Sequence, residues 1–220
     1  MTIAVLKKSI LAENDRAAEQ TRRLLDEHNI AAFNIMGGAG CGKTTLLEHV
    51  IPMLKGHLKV AVLEGDLATT KDAARIDALG VPVVQLLTEG GCHLTATLVN
   101  EALKELSLAD IDLLLIENVG NPICPASFDL GEHERIAVLS VTEGDDKPAK
   151  YPYLFKVADV VVITKMDLLE VTDFDADHAT VDIHILDPGK PVMRISATKT
   201  GAGPVSDWLR ERCRAIVQSA

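Results

Sequence analysis

Apolar and polar positions form long blocks along the chain, and these blocks predict an alternation of helices and buried strands. The first block, residues 4–28, has apolar residues at loosely helical spacing and predicts a helix before the first strand. Short continuous apolar runs, typical of strands buried on both faces, follow at residues 31–36, 58–64, 81–87, 111–117, 134–142, 157–164 and 191–195. The segments between them predict helices over residues 44–55, 71–79, 94–106 and 204–218.

This alternation predicts the fold class. Parallel strands of one sheet are joined by right-handed crossovers, and helices usually form those crossovers. We therefore expect an α/β fold with a mostly parallel central sheet flanked by helices. Residues 1–30 are expected to form a helical extension packed on a single domain of residues 31–220. The polar segment 173–187 gives no clear prediction.

Composition supports this fold and excludes some partners. Hydrophobic residues make up 47% of the chain and aromatic residues only 3%, so the core must consist mainly of aliphatic side chains. The formal net charge of −10 argues against a nucleic-acid partner or an anionic membrane surface. No apolar run reaches the roughly 20 residues of a membrane span. With four cysteines and no visible secretory signal, we expect a reduced, cytoplasmic protein.

The first predicted strand leads into a glycine-rich loop. Residues 37–44 read G-G-A-G-C-G-K-T and match the phosphate-binding pattern G-x-x-x-x-G-K-[ST]. Backbone N–H groups of such a loop surround phosphate oxygens, and the next helix directs its N-terminus at them. Lys43 is expected to reach the β- and γ-phosphates, and Thr44 to bind Mg²⁺. The loop residues predicted to bind the nucleotide are Gly38, Gly40, Cys41, Gly42, Lys43, Thr44 and Thr45.

Two carboxylates follow other predicted strands. Asp66 follows residues 58–64, and Glu117 ends residues 111–117. Ligands in open α/β sheets lie beyond the carboxyl ends of the strands, so both side chains are expected near the phosphates. With Lys43 they are the candidate catalytic residues, and with Thr44 the candidate Mg²⁺ ligands. Gly120 completes an E-x-x-G pattern, in which a glycine N–H can contact the γ-phosphate and move after hydrolysis.

A second motif indicates the base. Residues 164–167 read T-K-M-D and resemble the guanine element N/T-K-x-D, formed here by Thr164, Lys165 and Asp167. The Asp167 carboxylate can accept hydrogen bonds from guanine N1–H and N2–H₂, which adenine lacks, so the nucleotide is predicted to be GTP. Ser196 and Ala197 follow the last strand and resemble a loop whose backbone N–H contacts guanine O6.

Three further residues offer ligands for a soft metal. Cys92 and His93 are adjacent, and Cys124 lies about seven residues after Glu117. Thiolate and imidazole suit Ni²⁺ or Zn²⁺ better than Mg²⁺. The spacing is not that of a zinc finger, so by spacing alone unrelated cysteines remain the stronger alternative. A switch movement near Glu117 would nevertheless displace Cys124, which links the nucleotide to metal affinity.

Four runs carry a resemblance to a known family. They are E-G-G-C-H-L at 89–94, L-I-E-N-V-G-N-P-I-C-P at 115–125, F-D-L-G at 128–131 and T-E-G-D-D-K at 142–147. The chain resembles, over about residues 10–216, the HypB-type nickel-incorporation GTPases of hydrogenase maturation, which are P-loop proteins of the SIMIBI class. The resemblance implies hydrolysis of GTP to GDP, a homodimer in the GTP state, and nickel delivery to the [NiFe]-hydrogenase precursor with an accessory protein.

The resemblance also assigns roles to residues. It implies an interfacial nickel or zinc site at Cys92, His93 and Cys124. It also implies that Lys150 can reach the nucleotide bound to the partner subunit. It implies contacts with GTP and its Mg²⁺ at Lys43, Thr44, Asp66, Glu117, Lys165 and Asp167. Some relatives carry an N-terminal C-x-x-C-G-C motif or a His-rich tract. This sequence shows neither, so nickel storage at the N-terminus is not expected.

Three other interpretations stay open. The first is a related GTPase chaperone for urease or another metalloenzyme, although the urease type usually carries C-P-H, and here Cys124 precedes Pro125 without a histidine. The second is a P-loop kinase or ligase, which would need an acceptor pocket in place of the T-K-M-D element. The third is a binding module in which GTP only clamps a dimer, without useful turnover.

Overall fold

The computed structural model describes residues 2–66, 70–88 and 90–219, with side chains from residue 11 onward. Glu89, which belongs to one of the runs compared above, lies outside the described residues. Within these ranges the strands are β1 (Ala31–Gly37), β2 (Val60–Asp66), β3 (Val83–Leu87), β4 (Leu113–Glu117), β5 (Glu134–Ser140), β6 (Val160–Thr164) and β7 (Val192–Arg194). The α-helices are α1 (Thr2–Glu27), α2 (Lys43–Leu54), α3 (Lys71–Asp77), α4 (Ala96–Leu103), α5 (Lys147–Lys150), α6 (Pro152–Val157), α7 (Ala176–Leu186) and α8 (Gly203–Ser219).

The described strands form one sheet in the order β3-β2-β4-β1-β5-β6-β7, and every pair in it is parallel. The predicted α/β fold is therefore confirmed. Strand β1 lies near the centre, between β4 and β5. Its carboxyl end, where the phosphate-binding loop begins, therefore has the ends of β4 and β5 on either side.

Aliphatic residues fill both faces of the sheet. One buried cluster joins α2 and α8 to the sheet, and another joins α1 and α4 to the opposite face through residues such as Leu25 and Val99. A third lies under α6 and α7. No helix among the described residues combines the length and the apolarity needed to cross a bilayer.

Two parts of the sequence prediction differ from the structure. The predicted strand 157–164 begins only at Val160, because Pro152 starts the helix α6, which includes Val157. Proline is favourable at the first turn of a helix, where its missing N–H is not needed. The polar segment 173–187 contains α7, whose start is capped by Asp175: its carboxylate accepts hydrogen bonds from the backbone N–H groups of Asp177 and His178.

Candidate nucleotide and metal sites

The glycine-rich loop connects β1 to α2 in the geometry that a phosphate requires. Gly42 has φ of +97°, a left-handed conformation that residues with a side chain rarely adopt, and α2 begins at the next residue. Lys43 is buried, and its Nζ lies 3.5 Å from the carbonyl oxygen of Gly38. The Lys43 ammonium therefore lies folded over the loop, where phosphate oxygens can replace the carbonyl as its partner.

Glu117 and Thr44 lie together at the end of β4. The Thr44 hydroxyl donates a hydrogen bond of 2.8 Å to Oε1 of Glu117. The second carboxylate oxygen, Oε2, is buried and has no hydrogen-bond partner among the residues that the structure describes. Buried polar atoms without a partner are costly, and a divalent cation would satisfy this one. A hydroxyl and carboxylates are oxygen ligands of the kind Mg²⁺ takes, so these residues fit that ion.

The predicted acidic residues share one cavity with further carboxylates. A cavity of about 390 Å³ is lined by Lys43, Thr44, Asp66, Glu117 and Gly120, and also by Glu64 and Asp72. Burial raises the pKa of Glu117 to about 7, against the opposing effects of Lys43 and of the Thr44 hydrogen bond. Burial, followed by the charges of Glu117, Asp66 and Asp72, raises the pKa of Glu64 to about 8. A cation placed among these groups would lower both pKa values.

Gly120 approaches the phosphate-binding loop closely. A Cβ added at Gly120 would lie 2.9 Å from the Cα of Ala39 and 3.1 Å from its Cβ. Only glycine allows this segment to lie so close to the loop. The E-x-x-G element is therefore in contact with the loop that holds the phosphates.

Gly120→Ala is expected to weaken binding of a non-hydrolysable GTP analogue by about tenfold, because overpacking costs about 1–3 kcal/mol. Isothermal titration calorimetry measures the change. Gly56→Ala is the matched control, since a Cβ there would meet no described atom within 4 Å. Equal affinity of Gly120→Ala and wild type would contradict the importance of this contact.

A second cavity adjoins the first and contains the predicted base-binding residues. It has a volume of about 270 Å³ and is lined by Thr164, Lys165, Asp167, Ala197 and their neighbours. Gly42, Thr45 and Lys165 line both cavities, so the two form one trough. The Ser196 hydroxyl donates a hydrogen bond to Oδ1 of Asp167.

Two of these residues also hold the phosphate-binding loop. The Lys165 ammonium donates to the carbonyl oxygen of Gly40 at 2.7 Å, and the Thr164 hydroxyl donates to that of Cys41 at 2.6 Å. The Cys41 side chain is fully buried, and burial raises the pKa of its thiol to about 11. The thiol is therefore unreactive at neutral pH, and Cys41 contributes to the phosphate-binding loop through its backbone.

The structure brings Cys92, His93 and Cys124 together. One potential ligand atom from each lies within 4.8 Å of the others, and all three residues are half-buried. The His93 ring stacks on Phe128 with 3.7 Å between ring centroids. The hydrogen bond with Cys92, followed by burial, raises the pKa of Cys124, and burial lowers the pKa of His93. The lowered pKa favours the neutral imidazole, which is the form in which histidine binds metals.

Some candidate residues lie elsewhere, and sequence reasoning missed others. Lys150 is exposed, forms an ion pair with Asp146, and lines neither of the two cavities within the described chain. Glu143 packs against Gly38 so closely that a side chain there would collide with its carboxylate. Glu143 was part of the T-E-G-D-D-K run, which was a signal of resemblance only. No sequence motif marks Glu64 or Asp72, and only their closeness to Asp66 along the chain could have suggested them.

Comparison with known proteins identifies the family of this site. The family model for the CobW/HypB/UreG nucleotide-binding domain matches residues 31–194. The hydrogenase maturation factor HypB of Azotobacter chroococcum mcd 1 is 46% identical over 204 residues, which are 93% of this chain and 66% of the relative. The chain thus spans about two thirds of the length of that relative.

Two further proteins match along nearly their whole length. The probable hydrogenase maturation factor HypB of Methanocaldococcus jannaschii is 43% identical over 212 residues, 96% of each chain. The crystal structure of HypB from Helicobacter pylori in complex with nickel superposes with a TM-score of 0.88 at 36% identity, covering 92% of this chain and 96% of that one. The chain therefore belongs to the CobW/HypB/UreG family of nucleotide-binding proteins and, within it, to the HypB hydrogenase maturation factors.

Proposed function

We propose that this protein is a GTP-hydrolysing metallochaperone that delivers nickel to the precursor of a [NiFe]-hydrogenase. The observation that carries the proposal is the Cys92–His93–Cys124 group, whose ligand atoms lie within 4.8 Å of one another. One of its ligands is close to the nucleotide site in sequence, since Cys124 follows Glu117 and Gly120. A HypB structure from Helicobacter pylori was solved in complex with nickel, which supports nickel as the metal.

The GTPase step is proposed to rest on charge stabilisation. Lys43 binds the β- and γ-phosphate oxygens, and Thr44, Asp66 and Glu117 hold Mg²⁺. The bound Mg²⁺ supplies positive charge that stabilises the transferring γ-phosphoryl group. Gly120 places its backbone N–H beside the loop, where a terminal phosphate would be contacted. A water positioned in this cavity then attacks in line, and GDP and phosphate are the products.

Guanine selection is proposed to depend on Asp167. Its carboxylate lines the second cavity and is oriented by the Ser196 hydroxyl. Lys165 extends from the strand end across the trough, with its stem available to cover the base and sugar. Ala197 also lines this cavity, and its backbone N–H is proposed to contact guanine O6.

The metal site is proposed to lie at the interface of a homodimer formed with GTP. Three protein ligands leave a coordination position for a group from outside the chain. Exposed apolar side chains occur beside the ligands, since Ile123 is 59% exposed and Leu87 is 46% exposed. A second copy would cover them. In that dimer Lys150 is free to exchange Asp146 for the nucleotide of the partner subunit, and an accessory protein supplies or receives the nickel.

The direct test is nickel transfer coupled to turnover. Nickel-loaded protein is mixed with the apo precursor of the hydrogenase large subunit and either GTP or a non-hydrolysable analogue, and phosphate release and nickel transfer are both measured. The proposal is supported if the protein hydrolyses GTP over multiple turnovers and transfers nickel faster with GTP than with the analogue. Transfer at equal rates, or no phosphate release, would exclude a GTP-driven chaperone.

Nickel affinity is expected to rise with pH from neutrality up to the raised pKa of Cys124. The raised pKa of Cys124 means that its thiol is protonated at neutral pH and must lose its proton to bind metal. The lowered pKa of His93 favours the neutral imidazole at neutral and higher pH, so the histidine does not limit binding there. Competition titrations against a chelator measure the trend. An affinity that is flat or falls with pH would contradict thiolate ligation.

A further inference from the structure

We infer that the side-chain amide of Asn118 is a positioning element that transmits the state of the nucleotide site to His93. The inference rests on the proposed function, since it names the residue through which the nucleotide reaches the metal ligands. Asn118 directly follows Glu117, and Leu94 directly follows His93. The backbone N–H of Leu94 donates a hydrogen bond of 3.3 Å to Oδ1 of Asn118. One amide therefore joins the residues next to a phosphate-site carboxylate and next to a metal ligand.

The Asn118 side chain is held firmly. It is 1% exposed, and its Oδ1 also accepts from the Val119 backbone N–H at 3.0 Å. Its Nδ2 donates to Oδ1 of Asn34 at 3.2 Å, and the Asn118 backbone N–H donates to the Ile35 carbonyl at 3.0 Å. A buried amide bonded to β1, to Val119 and to Leu94 is fixed in position, so it moves with the end of β4.

Leu94 has a second contact with the phosphate site. Its side chain is fully buried and lies over Gly65, where an added Cβ would be 2.9 Å from its terminal carbons. Gly65 directly precedes Asp66. Leu94 therefore rests on the neighbours of both proposed Mg²⁺ carboxylates, Glu117 through Asn118 and Asp66 through Gly65. A displacement of either strand end is passed to the backbone of His93.

Another of the three ligands, Cys124, is hydrogen-bonded to a different part of the nucleotide site. Oδ1 of Asn121 accepts from the backbone N–H groups of Ile123 at 2.8 Å and Cys124 at 3.4 Å. The backbone of Asn121 forms an antiparallel bridge with Gly37, the first residue of the phosphate-binding loop. His93 is thus expected to move with the ends of β2 and β4, whereas Cys124 is expected to move with the phosphate-binding loop. A shift between these two parts changes the spacing of the metal ligands.

A positioning role differs measurably from a structural one. A residue needed only for folding would change nickel affinity by the same factor in every nucleotide state. Loss of the link between the sites changes the ratio of affinities in the two states. By thermodynamic linkage, nickel must change the nucleotide affinity by the same factor. Measuring that change gives a second, independent value of the coupling between the two sites.

The test measures nickel dissociation constants of the full chain with GDP and with a non-hydrolysable GTP analogue. The ratio of the two constants in the wild type defines the coupling. Asn118→Ser is expected to bring this ratio close to one, a loss within the roughly 5- to 150-fold span usual for coupled sites. Asn34→Ser is the matched control, because it disrupts the same buried network but leaves the Leu94–Asn118 bond. It is expected to keep the wild-type ratio.

A wild-type ratio in Asn118→Ser, or an equal loss in Asn34→Ser, would overturn the inference. If Asn118→Ser does not fold, Leu94→Val decides instead, because it withdraws the terminal carbons from Gly65 and should lower the ratio in part. An unchanged ratio in Leu94→Val then counts against the inference. A wild-type ratio of one would refute nucleotide control of the metal, and with it the proposed function, so the two failures are distinguishable.

Discussion

Asp167→Asn is expected to change the base preference of the protein from guanine to xanthine. The Asp167 carboxylate lines the second cavity, where we propose that it accepts hydrogen bonds from guanine N1–H and N2–H₂. An asparagine amide would instead present a donor, which opposes the guanine amino group and matches the oxygen that xanthine carries there. Two hydrogen bonds to a charged group contribute about 3–6 kcal/mol, so GTP affinity should fall by about 10²- to 10⁴-fold.

Competition binding of GTP, XTP and ATP to the variant and the wild type measures this exchange. Asp173→Asn is the matched control, because it makes the same chemical change at an exposed carboxylate that does not line the base cavity. The control should keep wild-type affinities for all three nucleotides. Retention of GTP affinity by Asp167→Asn, without any gain for XTP, would show that the base is bound elsewhere.

Cys92→Ala is expected to weaken nickel binding by more than about 100-fold. Mutation of groups that merely support a metal ligand costs 10–100-fold, and here a ligand itself is removed. Only Cys124 and His93 would remain, and the Cys92 hydrogen bond to the His93 ring would be lost as well. The Ni–thiolate absorption band should weaken in parallel with the affinity.

Cys213→Ala is the matched control for this loss. Cys213 is buried on α8, where its thiol lies 3.7 Å from the carbonyl oxygen of Asp112. Its replacement removes one thiol without touching the proposed site, so nickel affinity should stay at the wild-type value. Nickel affinity that is unchanged in Cys92→Ala, or equally reduced in Cys213→Ala, would refute the proposed ligand set.

The parts of the fold and site that the sequence could predict are those set by local pattern. The order of elements and the phosphate-binding loop follow from continuous apolar runs and from glycines at fixed spacing. Asp66 and Glu117 could be placed because both follow apolar strands whose carboxyl ends meet at one edge. Asp167 was recognisable because a buried strand leads directly into its motif.

The other features depend on contacts between distant segments. Glu64 reads as an ordinary strand residue until the register places it beside Glu117. Glu143 lies against Gly38 only because β5 is the neighbour of β1 in the sheet. The meeting of Cys124 with Cys92 depends on two loops after different strands, which spacing alone could not show. The link through Asn118 likewise needs the side-chain geometry.

Nucleotide control of the metal site is tested by following nickel and phosphate in one sample. Nickel-loaded protein is mixed in a stopped-flow instrument with either GTP or a non-hydrolysable analogue. The Ni–thiolate absorption band and phosphate release are recorded together during a single turnover. We expect GTP to change the band with the same rate constant as phosphate release, and the non-hydrolysable analogue to give no such phase. A band that stays constant while phosphate is released would contradict a metal site controlled by the nucleotide.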